Sequence, residues 1–289
     1  MPAAFSGRLA GPAVPGFQGS LDGIRAAHRN DIYKGRHMAL NPAGEEILDC
    51  LRQVDEQRQL RLRDAGLGGQ VAAVKAYQHQ RFAQTYADQL THPRFGDAAR
   101  FFLEDLYGPD DFSLRDQQFA RVVPALVRLF PRDIVDTVLS LGRLHALSEV
   151  LDTQMARCLL AQAPKPAPCS GEAYGRCWRL AGTPADRERQ ISLMLAVGQA
   201  LDGYTRNPLL RHTLRLMRGP AQAAGLSALQ TFLERGFDTF RAMKGAEEFL
   251  RTIAQRERAL AAALFAGGDG PDLALSPGGQ GVLGQAPRL

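Results

Sequence analysis

A chain of 289 residues, 45% hydrophobic and 22% charged, has the composition of a globular protein and enough apolar material for a core. No uninterrupted apolar stretch approaches the roughly 18 residues of a membrane-spanning helix, so the sequence reads as soluble, without a membrane span. The net charge of +5 is diffuse: residues 1–37 set Arg8, Arg25, Arg29, Lys34 and Arg36 against Asp22 and Asp31, and residues 38–265 carry only +3. A polyanion binder needs a dense basic face, so the charge argues against nucleic acid as the partner.

Residues 1–37 show no sustained periodicity. Gly11, Pro12, Pro15 and Gly16 stand where a secretory signal would be apolar, so the segment reads as a disordered leader or as lying upstream of a start at Met38. From there to Phe265 helical spacing dominates and strand alternation is absent. Asn41-Pro42 is a cap followed by a proline in the first turn, which predicts a helix over 43–64. Gly66 and Gly68-Gly69 read as stops before a helix over 70–91, and Gly108-Pro109 as the stop of a helix over 95–107. Ser113 with Asp116 resembles a capping box and opens 114–129; a long helix follows over 132–161. The proline-rich stretch 162–171 is the one internal linker, and the pattern around Tyr174, Cys177 and Trp178 assigns no element. Thr183 with Asp186 opens 185–202, Asn207-Pro208 opens 208–218, and helices over 221–241 and 246–265 follow Gly219-Pro220 and Gly245. Residues 266–289 are rich in glycine and proline and bury too little to offset their ordering entropy. No 30–45-residue repeat marks a solenoid. The expected fold class is all-α: an irregular multi-helix bundle over 38–265, subdivided if anywhere at 162–171, between a disordered leader (1–37) and a disordered tail (266–289).

The run Phe101-Phe102-Leu103-Glu104-Asp105-Leu106-Tyr107-Gly108-Pro109 is the most distinctive in a chain only 7% aromatic. On a helix, Phe95, Ala99, Phe102, Leu103 and Leu106 share one face, Tyr107 stacks beyond Leu103, and Glu104 falls four residues after Arg100, which predicts an exposed ion pair. The run therefore reads as core followed by a stop. Phe101 to Tyr107 resembles the signature of the bacterial "FFLEELY motif" proteins, an uncharacterised family, with Asp105 in place of a glutamate. The resemblance spans roughly residues 70–265 and implies a helical fold and a bacterial origin. It implies no activity, because that family has none assigned.

Two polar clusters on predicted helices are candidate sites. His145, Glu149 and Asp152, at i, i+4 and i+7, interrupt a stripe continued by Ile134, Val138 and Leu141, beside the apolar face Leu144, Leu147, Leu151, Met155 and Cys158. Imidazole with carboxylates suits a metal ligand set or an acid–base pair. The plainer reading is a half-exposed flank, since neither Glu-x-x-His nor His-Glu-x-x-His is present. Arg211, Arg215 and Arg218 form a second row at the same spacing, opposite an expected buried face of Leu210, Leu214 and Met217, suited to an anion or an acidic partner helix. Its plainer reading is a solvated face paired with nearby acids. His79 and His92 are isolated surface or cap residues.

Cys50, Cys158, Cys169 and Cys177 lie far apart with no Cys-x-x-Cys pair, which argues against a zinc knuckle or a thioredoxin-like site. With no secretory signal the expectation is a cytoplasmic protein with four free thiols, Cys177 among them as a candidate reactive group. The glycine-rich nucleotide loops and the Gly-x-Ser-x-Gly elbow are missing. The leading expectation is a non-enzymatic module that binds a protein partner or a small-molecule ligand in a groove between its halves. The alternative is a metal- or haem-dependent enzyme centred on His145, Glu149 and Asp152.

Overall fold

The computed structural model describes residues 41–106, 112–163 and 165–267. The expected leader 1–37, the tail beyond Gly267, Tyr107 and the Gly108-Pro109 stop lie outside these residues. Among the described residues the chain is an all-α, irregular multi-helix bundle with no strand.

The local signals for helix starts work as chemistry dictates. Helix α1 (Pro42–Arg63) begins where the Asn41 side chain accepts the Gly44 N–H at 2.9 Å, with Pro42 in the first turn. Asp64 ends α1 and caps α2 (Ala65–Thr85), its Oδ1 accepting the Leu67 N–H at 3.0 Å. The expected stop at Gly66 and Gly68-Gly69 is thereby corrected: these glycines lie inside the first turns of α2. Gly68 lets α2 fold back closely on α1, since a Cβ there would stand 2.9 Å from the Arg61 carbonyl oxygen. The expected helix over 70–91 breaks at Tyr86, leaving α3 (Ala87–Thr91) as a separate turn. His92 caps α3 and its ring stacks on Phe95.

Helix α4 (Gly96–Phe101) runs into a π-helical turn, Phe102–Leu106, and α5 (Ser113–Leu129) carries Pro124 internally. The 31-residue α6 (Arg132–Gln162) is the axis of the bundle, with α1, α2, α7 (Gly171–Ala181) and α8 (Pro184–Thr205) packed on it. The region without a predicted element is thus α7, capped by Ser170. Thr183 and Asp186 form a reciprocal capping box at the start of α8. The expected helix over 208–218 is two: α9 (Pro208–Leu216) and α10 (Arg218–Ala223), and the expected stop Gly219-Pro220 sits in the first turn of α10, where proline is tolerated. Helices α11 (Ser227–Ala242) and α12 (Glu247–Phe265) close the bundle, α12 against α8 and α7, α11 against α8 and α5.

The aromatic run is core, as its spacing predicts, with Phe95, Phe101 and Phe102 each 2% exposed. Burying each phenylalanine is worth about 1.5–3 kcal/mol. Phe101, which the periodicity left off the apolar face, stacks on Phe232 at 5.6 Å between ring centroids. It seats on Gly236, where a Cβ would lie 3.0 Å from the ring tip. The expected Arg100–Glu104 pair is corrected: Arg100 pairs with Asp97 at 2.6 Å and Glu104 with Arg235 at 2.5 Å. The wider π turn adds a residue per turn, so positions four apart no longer stand one above the other. Arg235 also pairs with Asp105 at 2.8 Å, and the Asp105 carbonyl accepts from Arg115 Nη1 at 3.0 Å, which ties the run to α11 and α5.

The expectation of four free thiols is corrected as well. Cys158 and Cys177 form a disulfide, their Cα atoms 5.6 Å apart, because α6 and α7 fold back on each other across only 19 positions of sequence. Cys177 is therefore no free nucleophile. Cys50 and Cys169 remain free and buried, and burial pushes the Cys169 thiol up to about 11, well away from reactivity.

Candidate functional site

A cavity of about 240 Å³ lies at the centre of the bundle, walled by α1, α2, α5, α6, α7, α8, α11 and α12. One end is apolar and reaches the surface: Phe119, Val122 and Leu126 of α5 face Phe232 and the exposed Leu233 of α11, with Val138 and Leu141 of α6 between. The other end is a wall of charged and polar side chains deep in the protein. Mostly apolar lining with a few convergent polar groups is the composition of a small-molecule site.

All three residues of the His145, Glu149, Asp152 row line this cavity, so the periodicity that singled them out is the reason they meet there. Each is held by its own partner. His145 Nε2 lies 2.9 Å from Asp116 Oδ2, and the same oxygen accepts from Arg58 at 2.5 Å. Burial pushes the Asp116 carboxyl up, but His145, Arg58 and Arg115 outweigh it and hold it down at about 2. Glu149 accepts from Lys75 Nζ at 2.6 Å and from Arg61, whose second terminal nitrogen bonds the Glu149 carbonyl and Thr153 Oγ1, both at 2.8 Å. Burial raises the Glu149 carboxyl, and Lys75 with Arg61 brings it down to about 2. Asp152 is held by an amide. Its Oδ1 accepts from Gln78 Nε2 at 3.0 Å, and burial followed by the repulsion of Glu149 pushes its carboxyl upward.

The rest of the polar wall was not singled out by the sequence. Arg81 pairs with Glu257 at 2.6 Å, and Tyr86 Oη donates to the same carboxylate oxygen at 2.9 Å. The Arg187 guanidinium, 2% exposed, lies over the Trp178 ring at 3.7 Å from its centroid and donates to Gln190. Trp178 lines the cavity too, and its buried Nε1–H finds no acceptor among the described residues. On α2, Lys75, Gln78 and Arg81 stand at i, i+3 and i+6, a polar stripe visible in the sequence; its partners sit on α6, α7 and α12 and are not. Among the described residues no group of three His, Cys, Asp or Glu side chains is arranged to hold a metal ion.

The arginine row lies elsewhere. Arg211 pairs with Asp238 at 2.8 Å and Arg218 with Glu234 at 2.6 Å, both acids on α11. The expected buried face behind it is corrected: α9 has no buried residue, Leu210 and Leu214 are half-buried, and Met217 is 47% exposed. The turn at Met217 is the reason, since it ends α9 before a continuous stripe can form.

Against known families, the model of a domain of unknown function, DUF8198, matches residues 57–271. The chain belongs to that family. Every side chain lining the cavity except Leu51 falls within the matched span. No curated protein and no solved structure matches the chain. No helix among the described residues is long and apolar enough to cross a membrane.

Proposed function

We propose that this protein is a binding module for a small, largely apolar molecule held in the central cavity. The observation that carries the reading is the cavity itself: about 240 Å³ of space, an apolar mouth between α5 and α11, and a polar wall fixed by ion pairs before any ligand arrives. A preformed wall lowers the ordering cost of binding. The test is a neutral, fluorescent apolar probe, Nile red, titrated into the protein and into Val138→Phe, which fills the mouth. Saturable binding lost in the variant at unchanged helicity is the expected result. Equal binding by both, or none by either, would sink the reading.

The alternative, a metal- or haem-dependent enzyme using His145, Glu149 and Asp152, draws its support from the same wall. The His145–Asp116 pair is the arrangement by which a carboxylate orients an imidazole for proton transfer. Against a metal set stands the engagement of Glu149 by two cations and of Asp152 by Gln78. Elemental analysis and a visible absorption spectrum of the purified protein separate the two readings. Binding of a protein partner through Arg211, Arg215 and Arg218 has less support, because Asp238 and Glu234 already neutralise two of the three guanidinium groups.

A further inference from the structure

The charges that line the cavity balance. Lys75, Arg81, Arg115 and Arg187 stand against four carboxylates, each of them already engaged from within the chain. A head group with a net charge would enter that wall without a counter-charge and would lose its own hydration. The capacity that remains is neutral, and it lies on α6 where the apolar half of the cavity meets the charged half. Val138, Leu141, His145 and Ser148 fall at i, i+3, i+7 and i+10 and all line the cavity, so His145 and Ser148 follow about 10 Å of apolar wall. The Asp116 carboxylate can only accept, so His145 Nε2 carries the proton of their 2.9 Å contact, and Nδ1 of the neutral ring is an acceptor. Nδ1 has no partner among the described residues and, unlike Trp178 Nε1, is not enclosed. Ser148 Oγ accepts from Gln190 Nε2 at 2.8 Å, and the Gln190 oxygen is turned to Arg187, which fixes the amide in that sense. The Ser148 hydroxyl hydrogen is therefore a donor, with no acceptor among the described residues. An open acceptor and an open donor thus stand one turn apart on the same face.

We propose that the ligand is an uncharged alcohol, its hydroxyl donating to His145 Nδ1 and accepting from Ser148 Oγ, with an aliphatic or aromatic tail between α5 and α11. The proposal rests on the cavity-binding reading above and names the chemistry of its occupant. Side chains three apart on a helix stand about 5–6 Å apart at Cβ, a spacing that one hydroxyl oxygen bridges with a hydrogen bond to each. An ester, ketone or ether supplies only an acceptor and leaves the imidazole nitrogen unpaired. The apolar mouth disfavours a small polyol, which would leave Phe119, Leu126 and Phe232 facing water.

Trp178 is the sole tryptophan of the chain and lines the cavity, so its emission reports an occupant. The experiment titrates decanol, decyl methyl ether, decanoate and decylamine into the full chain in mildly alkaline buffer and follows that emission, with calorimetry for the variants. Decanol is expected to bind saturably, about three- to tenfold tighter than the ether, which has lost the donor, and tighter than either ion. His145→Phe should erase the preference for alcohol over ether, whereas Ser148→Ala should weaken both by a similar factor; a general loosening of the cavity would not divide the two variants in this way. If the ether matches decanol, or if decanoate or decylamine binds tightest, the hydroxyl assignment is overturned while the cavity reading stands. If none of the four binds but Nile red does, the assignment again falls alone, and if Nile red does not bind either, both fall. Should a variant fail to fold, the comparison of the four heads on the unaltered chain decides alone.

Discussion

Replacing Glu149 by glutamine removes one negative charge at nearly constant shape, and the consequence can be worked from its surroundings. The side chain is 8% exposed and is shared by Arg61 and Lys75, themselves 12% and 25% exposed. Its carboxyl stands at about 2 in the folded protein against an ordinary 4.5. A shift of that size corresponds to about 3 kcal/mol of stability, in line with the roughly 3–5 kcal/mol lost when one partner of a buried ion pair is removed. Because the folded value is depressed, the contribution is complete above the unfolded value and is lost as pH falls from about 4.5 to about 2. Urea unfolding followed by circular dichroism should therefore show Glu149→Gln less stable by about 3 kcal/mol at pH 7, the gap shrinking to about half near pH 3 and closing below it. A gap under about 1 kcal/mol at pH 7, or one that does not change with pH, would refute the reasoning.

Alkylation under denaturing conditions without reductant should modify Cys50 and Cys169 alone, and all four cysteines after reduction; four modified thiols at the outset would contradict the α6–α7 link. Reduction of a bridge closing so short a segment should cost about 3 kcal/mol in urea unfolding, through the freedom regained by the unfolded chain. Gly236→Ala pushes a methyl to 3.0 Å from the Phe101 ring and should destabilise by about 1–3 kcal/mol, while Phe101→Ala should cost about 3–5 kcal/mol. Asp64→Ala removes the cap of α2 and should cost about 1 kcal/mol, a value that thermal unfolding of the two chains would check.

The parts of the fold that were legible are those fixed by neighbours in sequence. Asn41-Pro42, Thr183 with Asp186, and Asn207-Pro208 satisfy the first orphan N–H groups from within a turn, and each starts a helix where the residues indicate. Glycine misled at Gly66 to Gly69, because Asp64 supplies a cap that outweighs the glycine signal. The π turn after Phe101 was not legible, since its side chains satisfy an α-helical stripe nearly as well. Half of the candidate site was readable: three polar residues interrupting one face of α6 had to be either flank or site. The other half comes from partners 29 to 88 positions away, Asp116, Lys75 and Arg61, which no local spacing encodes. The disulfide was hidden for the same reason, its cysteines brought together only by the turn between α6 and α7.

The position of Phe101 has a practical consequence. Its ring stands one layer behind Phe232, which faces the cavity, so the wall's contour and the wall's chemistry are set by different residues. Trimming Phe101 to leucine would leave every side chain that lines the cavity unchanged while giving the Phe232 ring room to recede. The volume of the cavity could then be tuned from behind its wall, with the polar wall left intact, which makes this buried pair the natural starting point for reshaping it.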